Sequence, residues 1–148
     1  MKRSDWLLLL LALRIEGTER SALDHVRVQK GMFLFAKEGG VSESEAYTFE
    51  PYNWGPYSTL VNNDLQELVR DEFAVARDVP GYTWKTFAPT ADGVNKARNL
   101  LKTAPRDSVQ KLAQIKKRVG LVTFNELLSD VYENYPEFAT RSLFRPRS

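Results

Sequence analysis

The sequence predicts a mainly α-helical single domain with a small antiparallel β-hairpin, arranged as a winged helix-turn-helix-like core plus C-terminal helices. Three observations predict this fold. The 148 residues are a usual length for one domain. Apolar residues recur at helical spacing in several segments, and two β-prone runs flank a Pro-Gly pair after the third segment. We expect the core to span about residues 1–103 and the helical extension about 104–148.

The first helix is predicted over about residues 4–15, with Ser4 or Asp5 as its N-cap. A basic start followed by leucines is also found in secretory signals. However, the apolar run Trp6–Leu13 has only eight residues, Asp5 interrupts the charged start, and no small-residue cleavage site follows. A bilayer span needs roughly 20 apolar residues. We therefore interpret this segment as a core helix and expect a cytoplasmic protein.

The second helix is predicted over residues 24–38, because Gly39 and Gly40 end the apolar pattern. A short polar connection over residues 16–24 precedes it. Gly31 lies in the middle of this helix, where glycine costs up to about 1 kcal/mol relative to alanine. We expect Gly31 to permit a close approach of another helix.

The segment Pro51–Ser58, PYNWGPYS, joins an extended run to the third helix, which is predicted over residues 57–72. Pro56 is expected in the first turn of that helix, where a missing N–H costs nothing. Two interpretations of its aromatic rings stay open. The rings either cover the core around a rigid elbow or form the wall of a pocket for a base or a peptide. The three rings belong to Tyr52, Trp54 and Tyr57.

The remaining elements are predicted from turn and cap residues. The β-prone runs 73–77 and 82–87 flank the sequence Asp-Val-Pro-Gly, which indicates a hairpin turn. Thr90 is a typical N-cap, and Thr123 with Glu126 has capping-box spacing. The three helices predicted after the hairpin are 90–102, 107–119 and 123–135.

Charge is strongly segregated along the chain. Residues 41–80 carry two Lys/Arg and eight Asp/Glu, whereas residues 81–120 carry nine Lys/Arg and two Asp/Glu. Three interpretations of the basic segment stay open: a nucleic-acid patch, solvated helix faces, or the counterpart of the acidic segment in a homodimer or larger oligomer. The cations concerned are Lys85, Lys96, Arg98, Lys102, Arg106, Lys111, Lys116, Lys117 and Arg118.

Composition excludes several classes of site. The chain has no cysteine and a single histidine, which excludes disulfides, thiolate metal sites and multi-histidine zinc sites. His25 lies beside Asp24, but no nucleophile, second base or glycine-rich phosphate loop accompanies it. We therefore interpret His25 as a surface or capping residue, and we expect no catalytic residue, no metal, no cofactor and no enzymatic activity.

Four segments together resemble a known family: VQKGMFLFAKE, YTFEPYNWGPYSTLVNNDLQEL, FAPTADGVNKARNLL and VYENYPEFATRSLF. They look like the YwgA-like bacterial and archaeal proteins, and they are more distantly similar to Panacea-type antitoxin domains. The similarity covers about residues 24–142, and its most specific part is Trp54–Ser58. The resemblance implies a winged-helix-like fold without enzymatic activity. For the Panacea relatives it implies neutralisation of toxins by protein contact.

Two functional hypotheses follow. The first, which the helix and hairpin layout favours, is a DNA-binding regulator, and the alternative is an antitoxin-like module that binds a partner protein such as a toxin. The acidic third helix counts against DNA, because phosphate neutralisation supplies most DNA affinity. In the first hypothesis, base edges are read by Ser58, Thr59, Asn62 and Asn63, and phosphates are bound by Lys85, Lys96, Arg98, Lys102, Lys116, Lys117 and Arg118. In the second, the partner is bound by Tyr52, Trp54, Tyr57, Glu67 and Asp71.

Overall fold

The computed structural model describes residues 1–15, 17 and 22–144. Over these residues the protein is mostly helical with two small antiparallel sheets, which confirms the predicted fold class at this level. The predicted connection over residues 16–24 lies largely outside the described part. The helices are α1 (Arg3–Ala12), α2 (His25–Glu38), α3 (Thr59–Arg70), α4 (Ala91–Leu101), α5 (Arg106–Gly120) and α6 (Phe124–Asn134). The strands are β1 (Leu23–Asp24), β2 (Glu50–Tyr52), β3 (Gly55–Tyr57), β4 (Ala74–Arg77) and β5 (Thr86–Pro89).

Side-chain caps determine where most helices begin. The Thr90 hydroxyl accepts a hydrogen bond from the N–H of Gly93, and Thr123 forms the predicted capping box with Glu126. Helix α1 differs from the prediction, because Lys2 rather than Ser4 or Asp5 is its N-cap. The Asp5 carboxylate instead accepts a hydrogen bond from the Lys2 backbone N–H at 3.0 Å.

Helix α1 lies at the centre of the core. Its residues Trp6–Leu11 are fully buried, and the helix packs against α2, α3, α4 and α5. This burial on all sides explains why the leucine run is continuous rather than amphipathic. A Cβ atom at Gly31 of α2 would lie 3.0 Å from Leu10 Cδ2, so the expected close helix approach at Gly31 is confirmed.

The predicted hairpin is present, and a short third strand joins it. Strand β4 pairs antiparallel with β5, and β1 pairs with the other edge of β5, giving the order β1-β5-β4. The second strand was expected over 82–87 but begins only at Thr86. Residues 82–85 lie in the loop instead, because the Trp84 ring packs against His25 and Phe124.

The segment Pro51–Ser58 forms a second hairpin, which the sequence did not predict. Pro56 pairs with Pro51 across β2 and β3, so the expectation that Pro56 lies in the first helical turn is wrong. Helix α3 begins only after Ser58, whose hydroxyl accepts a hydrogen bond from the N–H of Val61. Gly55 has a φ of 93°, a backbone conformation that favours glycine.

No helix among the described residues combines the length and apolar character required to cross a membrane.

Candidate functional site

Two buried side chains of α2 hold the β2–β3 hairpin in place. Gln29 Nε2 donates to the carbonyl of Ser58 at 2.9 Å, and Gln29 Oε1 accepts from the N–H of Ser58 at 2.8 Å. Lys30 Nζ donates to the carbonyl of Pro56 at 3.1 Å. The bonds to the Pro56 carbonyl and the Ser58 N–H satisfy backbone groups at the end of β3 and the start of α3. The Ser58 carbonyl also accepts a bond from the N–H of Asn62 at 3.3 Å.

A small apolar cavity lies between α2 and this hairpin, and we call it the hairpin cavity. Its volume is about 70 Å³, and nearly all of its lining is apolar. Ligand sites for drug-sized molecules and cofactors occupy about 300–1,000 Å³, so the hairpin cavity is far smaller than a cofactor site. Its size suits one small apolar side chain. It is lined by His25, Val26, Gln29, Lys30, Tyr52, Trp54, Gly55 and Tyr57.

The predicted partner-binding rings differ in exposure. The Tyr52 side chain is 46% exposed, whereas Trp54 and Tyr57 are half-buried. The Tyr52 and Tyr57 rings lie 5.3 Å apart between centroids, and Trp54 packs edge-on against Phe124 at 5.5 Å. Trp54 thus packs against the core and attaches the hairpin to the domain. Tyr52 and Tyr57 form a ring pair beside the cavity.

Burial changes the proton affinity of two groups at this site. Desolvation lowers the pKa of the Lys30 amine to about 7, although Asp24 opposes the shift. Desolvation also lowers the pKa of His25, with Asp24 again opposing. His25 is the first residue of α2, is half-buried, and contacts Trp84 edge-on with ring centroids 5.1 Å apart.

The solvent-facing side of α3 divides into two parallel stripes with different chemistry. Residues spaced by four, three and four positions lie along one line on a helix. The first line, which we call the polar stripe, is exposed throughout and contains no carboxylate; it consists of Thr59, Asn63, Gln66 and Arg70. The second line, which we call the acidic stripe, consists of Leu60, Asp64, Glu67 and Asp71. Asn62 is half-buried beside the polar stripe.

The acidic stripe borders a polar cleft of about 360 Å³ between α1, α3 and α4. Lys96 lines this cleft together with Asp64, Glu67 and Asp71, and its Nζ lies 4.5 Å from the centre of the Phe73 ring. Lys96 is therefore placed among carboxylates rather than in a continuous basic strip.

Two residues predicted to contact DNA are buried. Ser58 is 3% exposed, and its N–H, carbonyl and hydroxyl are all hydrogen-bonded within the chain. Lys116 is fully buried, and its Nζ donates to the carbonyl of Leu11 at 2.9 Å, at the C-terminal end of α1. Burial lowers the pKa of Lys116 to about 7. The expectation that both side chains face outward is wrong. The Ser58 hydroxyl caps α3, and the Lys116 amine bonds to a carbonyl in the last turn of α1.

The other predicted cations are divided between internal pairs and solvent. Arg118 binds the carboxylates of Asp130 and Glu38, with closest distances of 2.7 Å and 3.1 Å, so it does not offer an unpaired charge. The nucleic-acid patch that was one interpretation of residues 85–118 is interrupted at residues 96, 116 and 118. Its exposed members are Lys85, Arg98, Lys102, Arg106, Lys111 and Lys117.

The burial of two lysines could have been predicted from their positions in the helical pattern. Lys116 lies between Leu112 and Val119 on the apolar stripe of α5, and Lys30 lies four residues after the buried Val26. Lysine at a core position is rare unless its amine finds a partner. The pairing with distant carbonyls, however, cannot be read from the sequence.

The described residues contain no cluster of three or more acidic, histidine or cysteine side chains placed to hold a metal ion. No protein-family model matches the chain, and no curated protein matches it.

Proposed function

We propose that this chain is an antitoxin-like protein-interaction module that binds a partner protein through the β2–β3 hairpin and the acidic stripe of α3. The observation that carries the proposal is the hairpin cavity beside the exposed ring of Tyr52. A cavity of about 70 Å³ accepts one apolar side chain, which is how a central anchor residue of a protein interface is bound. The buried bonds from Gln29 and Lys30 hold the cavity open before the partner arrives, which reduces the ordering cost of binding.

A winged-helix-like arrangement is part of this proposal. The order α1, β1, α2, α3, β4, β5 and the pairing of β1 with β5 support it, because a winged helix adds such a sheet to three packed helices. In this interpretation the β2–β3 hairpin is an insertion between the second and third helices. That insertion places the hairpin cavity immediately before α3.

Charge favours a protein partner over DNA. Within Thr59–Arg70 the only cation is Arg70, and the neighbouring acidic stripe repels phosphate. Three of the nine cations in the basic segment are buried, paired or placed among carboxylates, which leaves fewer for phosphate. A partner with an apolar anchor residue and surrounding Lys or Arg complements this surface better, because opposite charges steer the encounter.

Rescue from a toxic partner tests the proposal. The chain is co-expressed with the product of a toxic gene adjacent to its own, and growth is compared among variants. Tyr52→Ala and the double reversal Glu67→Lys/Asp71→Lys are expected to lose rescue. The matched controls are Tyr82→Ala, at an exposed tyrosine of the other hairpin, and Glu133→Lys/Glu137→Lys, at exposed acids of the C-terminal region; both should retain rescue. If the test variants rescue as well as the controls, this surface is not the binding surface.

A DNA-binding regulator is the second candidate, and the polar stripe favours it. Asn63 and Gln66 are exposed amides on one line, and such amides pair with adenine in the major groove. Arg70 at the end of the same line supplies a phosphate or guanine contact. Fluorescence anisotropy with varied duplexes should then show binding that weakens steeply with salt and is reduced by Asn63→Ala. Absence of binding at low salt would eliminate this candidate.

A further inference from the structure

The open edge of the three-stranded sheet fits a second copy of this chain. We propose that β4 pairs antiparallel with β4 of a second molecule across a two-fold axis, giving the continuous strand order β1-β5-β4-β4-β5-β1. The residues along β4 line neither the hairpin cavity nor the acidic stripe, although Glu72 directly follows Asp71 of that stripe. The inference therefore does not rest on the proposed function.

The first support is the unpaired edge itself. Strand β4 is the last strand of its sheet, and among the described residues β5 is its only strand neighbour. Every second residue of such a strand directs its N–H and C=O away from the paired side, toward a potential partner. Edge strands that avoid pairing usually carry proline, lysine or a bulge. Strand β4 pairs with β5 without a bulge and contains no proline or lysine, although it is short and ends in the charged Arg77.

The second support is a groove of about 500 Å³ that runs along β4. Its floor is apolar, and two carboxylates, those of Glu72 and Asp92, lie at the end where β4 begins. The opposite end of β4 carries the exposed Arg77. The lining residues are Val69, Glu72, Ala74, Val75, Ala76, Thr90, Ala91 and Asp92.

The third support is that this charge distribution is self-complementary. Antiparallel pairing brings the Arg77 end of one β4 beside the Glu72 end of the other, and the two-fold axis repeats the contact. Neither Arg77 nor Glu72 has an ion-pair partner within the part of the chain that the structure describes. A second copy therefore supplies a carboxylate to each Arg77 and an arginine to each Glu72.

The backbone at Glu72 gives the fourth support. Glu72 has a φ of 63° and follows α3, where the N–H of Phe73 bonds to the carbonyl of Leu68 at 2.9 Å. This is the left-handed position that usually holds glycine at the end of a helix. A side chain is strained at this position, and that of Glu72 lines the groove, which points to a use of the carboxylate.

The expected dimer is weak and salt-sensitive. A strand of four residues contributes a short ladder, and stable interfaces usually bury about 1,200–2,000 Å². Exposed ion pairs are screened by salt. We therefore expect dimerisation to depend on concentration and to weaken at high ionic strength.

Sedimentation velocity over a range of concentrations tests the inference. The apparent mass of the wild-type protein should rise from the monomer value of 16.9 kDa toward twice that value as the concentration increases. Arg77→Glu and Glu72→Arg should each weaken dimerisation at least tenfold, and the double swap should restore it. Glu72→Gly removes the charge while suiting the backbone, so it should fold and still dimerise more weakly. Arg98→Glu, at an exposed site on α4, is the control and should leave the dimer unchanged.

Three results would overturn the proposal. The first is a wild-type chain that stays monomeric up to about 1 mM, since a dissociation constant above that value corresponds to less than about 4 kcal/mol of binding free energy. The second is a dimer that neither single charge reversal affects. The third is a double swap that folds, by circular dichroism, but does not recover the dimer.

Discussion

Both amide atoms of Gln29 bond to the backbone of Ser58, with Nε2 donating to the carbonyl at 2.9 Å and Oε1 accepting from the N–H at 2.8 Å. The pair is buried, and it copies the two-bond exchange between residues of neighbouring strands. It links the middle of α2 to the N-cap of α3. The direction of α3 and the placement of the hairpin therefore depend on one side chain in another helix.

Removing the Gln29–Ser58 bonds should destabilise the folded chain. Gln29→Ala leaves the buried N–H of Ser58 without its partner, whereas the Ser58 carbonyl keeps its 3.3 Å bond from the N–H of Asn62. An unpaired buried group costs about 1–3 kcal/mol, so we expect the free energy of unfolding to fall by about 1–3 kcal/mol in urea titrations. Gln110→Ala, at an exposed site on α5, should change it by less than about 0.5 kcal/mol. A similar small effect for both variants would show that Gln29 does not hold α3.

Stability should rise with pH between about 7.5 and 9.5. The pKa values of Lys30 and Lys116 are lowered to about 7 in the folded chain, from 10.5 when unfolded. In this window the unfolded chain binds protons that the folded chain does not, so raising the pH favours folding. The slope is up to about 1.4 kcal/mol per pH unit for each lysine. Urea unfolding at several pH values measures it.

Methionine variants provide the control for this pH dependence. Lys30→Met and Lys116→Met should each reduce the slope, whereas Lys117→Met, at the exposed neighbouring position, should leave it unchanged. The window ends before pH 10 because burial raises the pKa of Tyr47, which makes the folded state less stable as tyrosines ionise in the unfolded chain. A flat profile in the wild-type chain would contradict the burial of both amines.

The same substitution should have opposite effects at two sites near the end of α3. Glu72→Gly removes a left-handed side chain and should stabilise the monomer by about 0.5–1 kcal/mol. Glu67→Gly introduces glycine inside α3 and should destabilise it by about 1 kcal/mol. Thermal unfolding of dilute samples measures both. Destabilisation by Glu72→Gly would contradict the assigned backbone conformation.

Alanine substitutions at two glycines distinguish the cost of backbone strain from the cost of steric crowding. Gly55 and Gly81 have φ values of 93° and 84°, but only at Gly55 would a Cβ atom meet close neighbours among the described residues. These neighbours are Lys30 Cε at 3.2 Å and Tyr132 Cε1 at 3.3 Å. Gly81→Ala should cost about 1 kcal/mol from strain alone, and Gly55→Ala should cost about 1–3 kcal/mol more. Equal costs in denaturant titrations would contradict the tight packing of the hairpin.

The sequence predicted the elements that local signals determine. The caps at Thr90 and Thr123 and the Pro-Gly turn after β4 were recognisable, since the residues concerned are close along the chain. Strand β1 was missed because two residues carry no periodic pattern. Pro56 was misplaced because a proline fits both the first helical turn and an edge strand.

The candidate site was predicted only in part. Tyr52, Trp54 and Tyr57 were recognised as a group because they are adjacent in sequence. The role of Gln29 and Lys30 depends on contacts made across 26 to 29 residues, which no local pattern reveals. Two cations assigned to phosphate contacts in the nucleic-acid interpretation are not free, because Lys116 bonds to α1, 105 residues away, and Arg118 pairs with residues of two other helices.

Filling the hairpin cavity would block the site at which we propose that a partner side chain binds. Val26 lines the cavity. Val26→Ile adds one methyl group there and keeps an uncharged, β-branched side chain. The affinity for a toxic partner that the wild-type chain neutralises is then measured by titration calorimetry. We expect the variant to be at least as stable as the wild type and its affinity for the partner to be at least tenfold lower. An unchanged affinity in a well-folded Val26→Ile variant would show that the partner does not bind in the hairpin cavity.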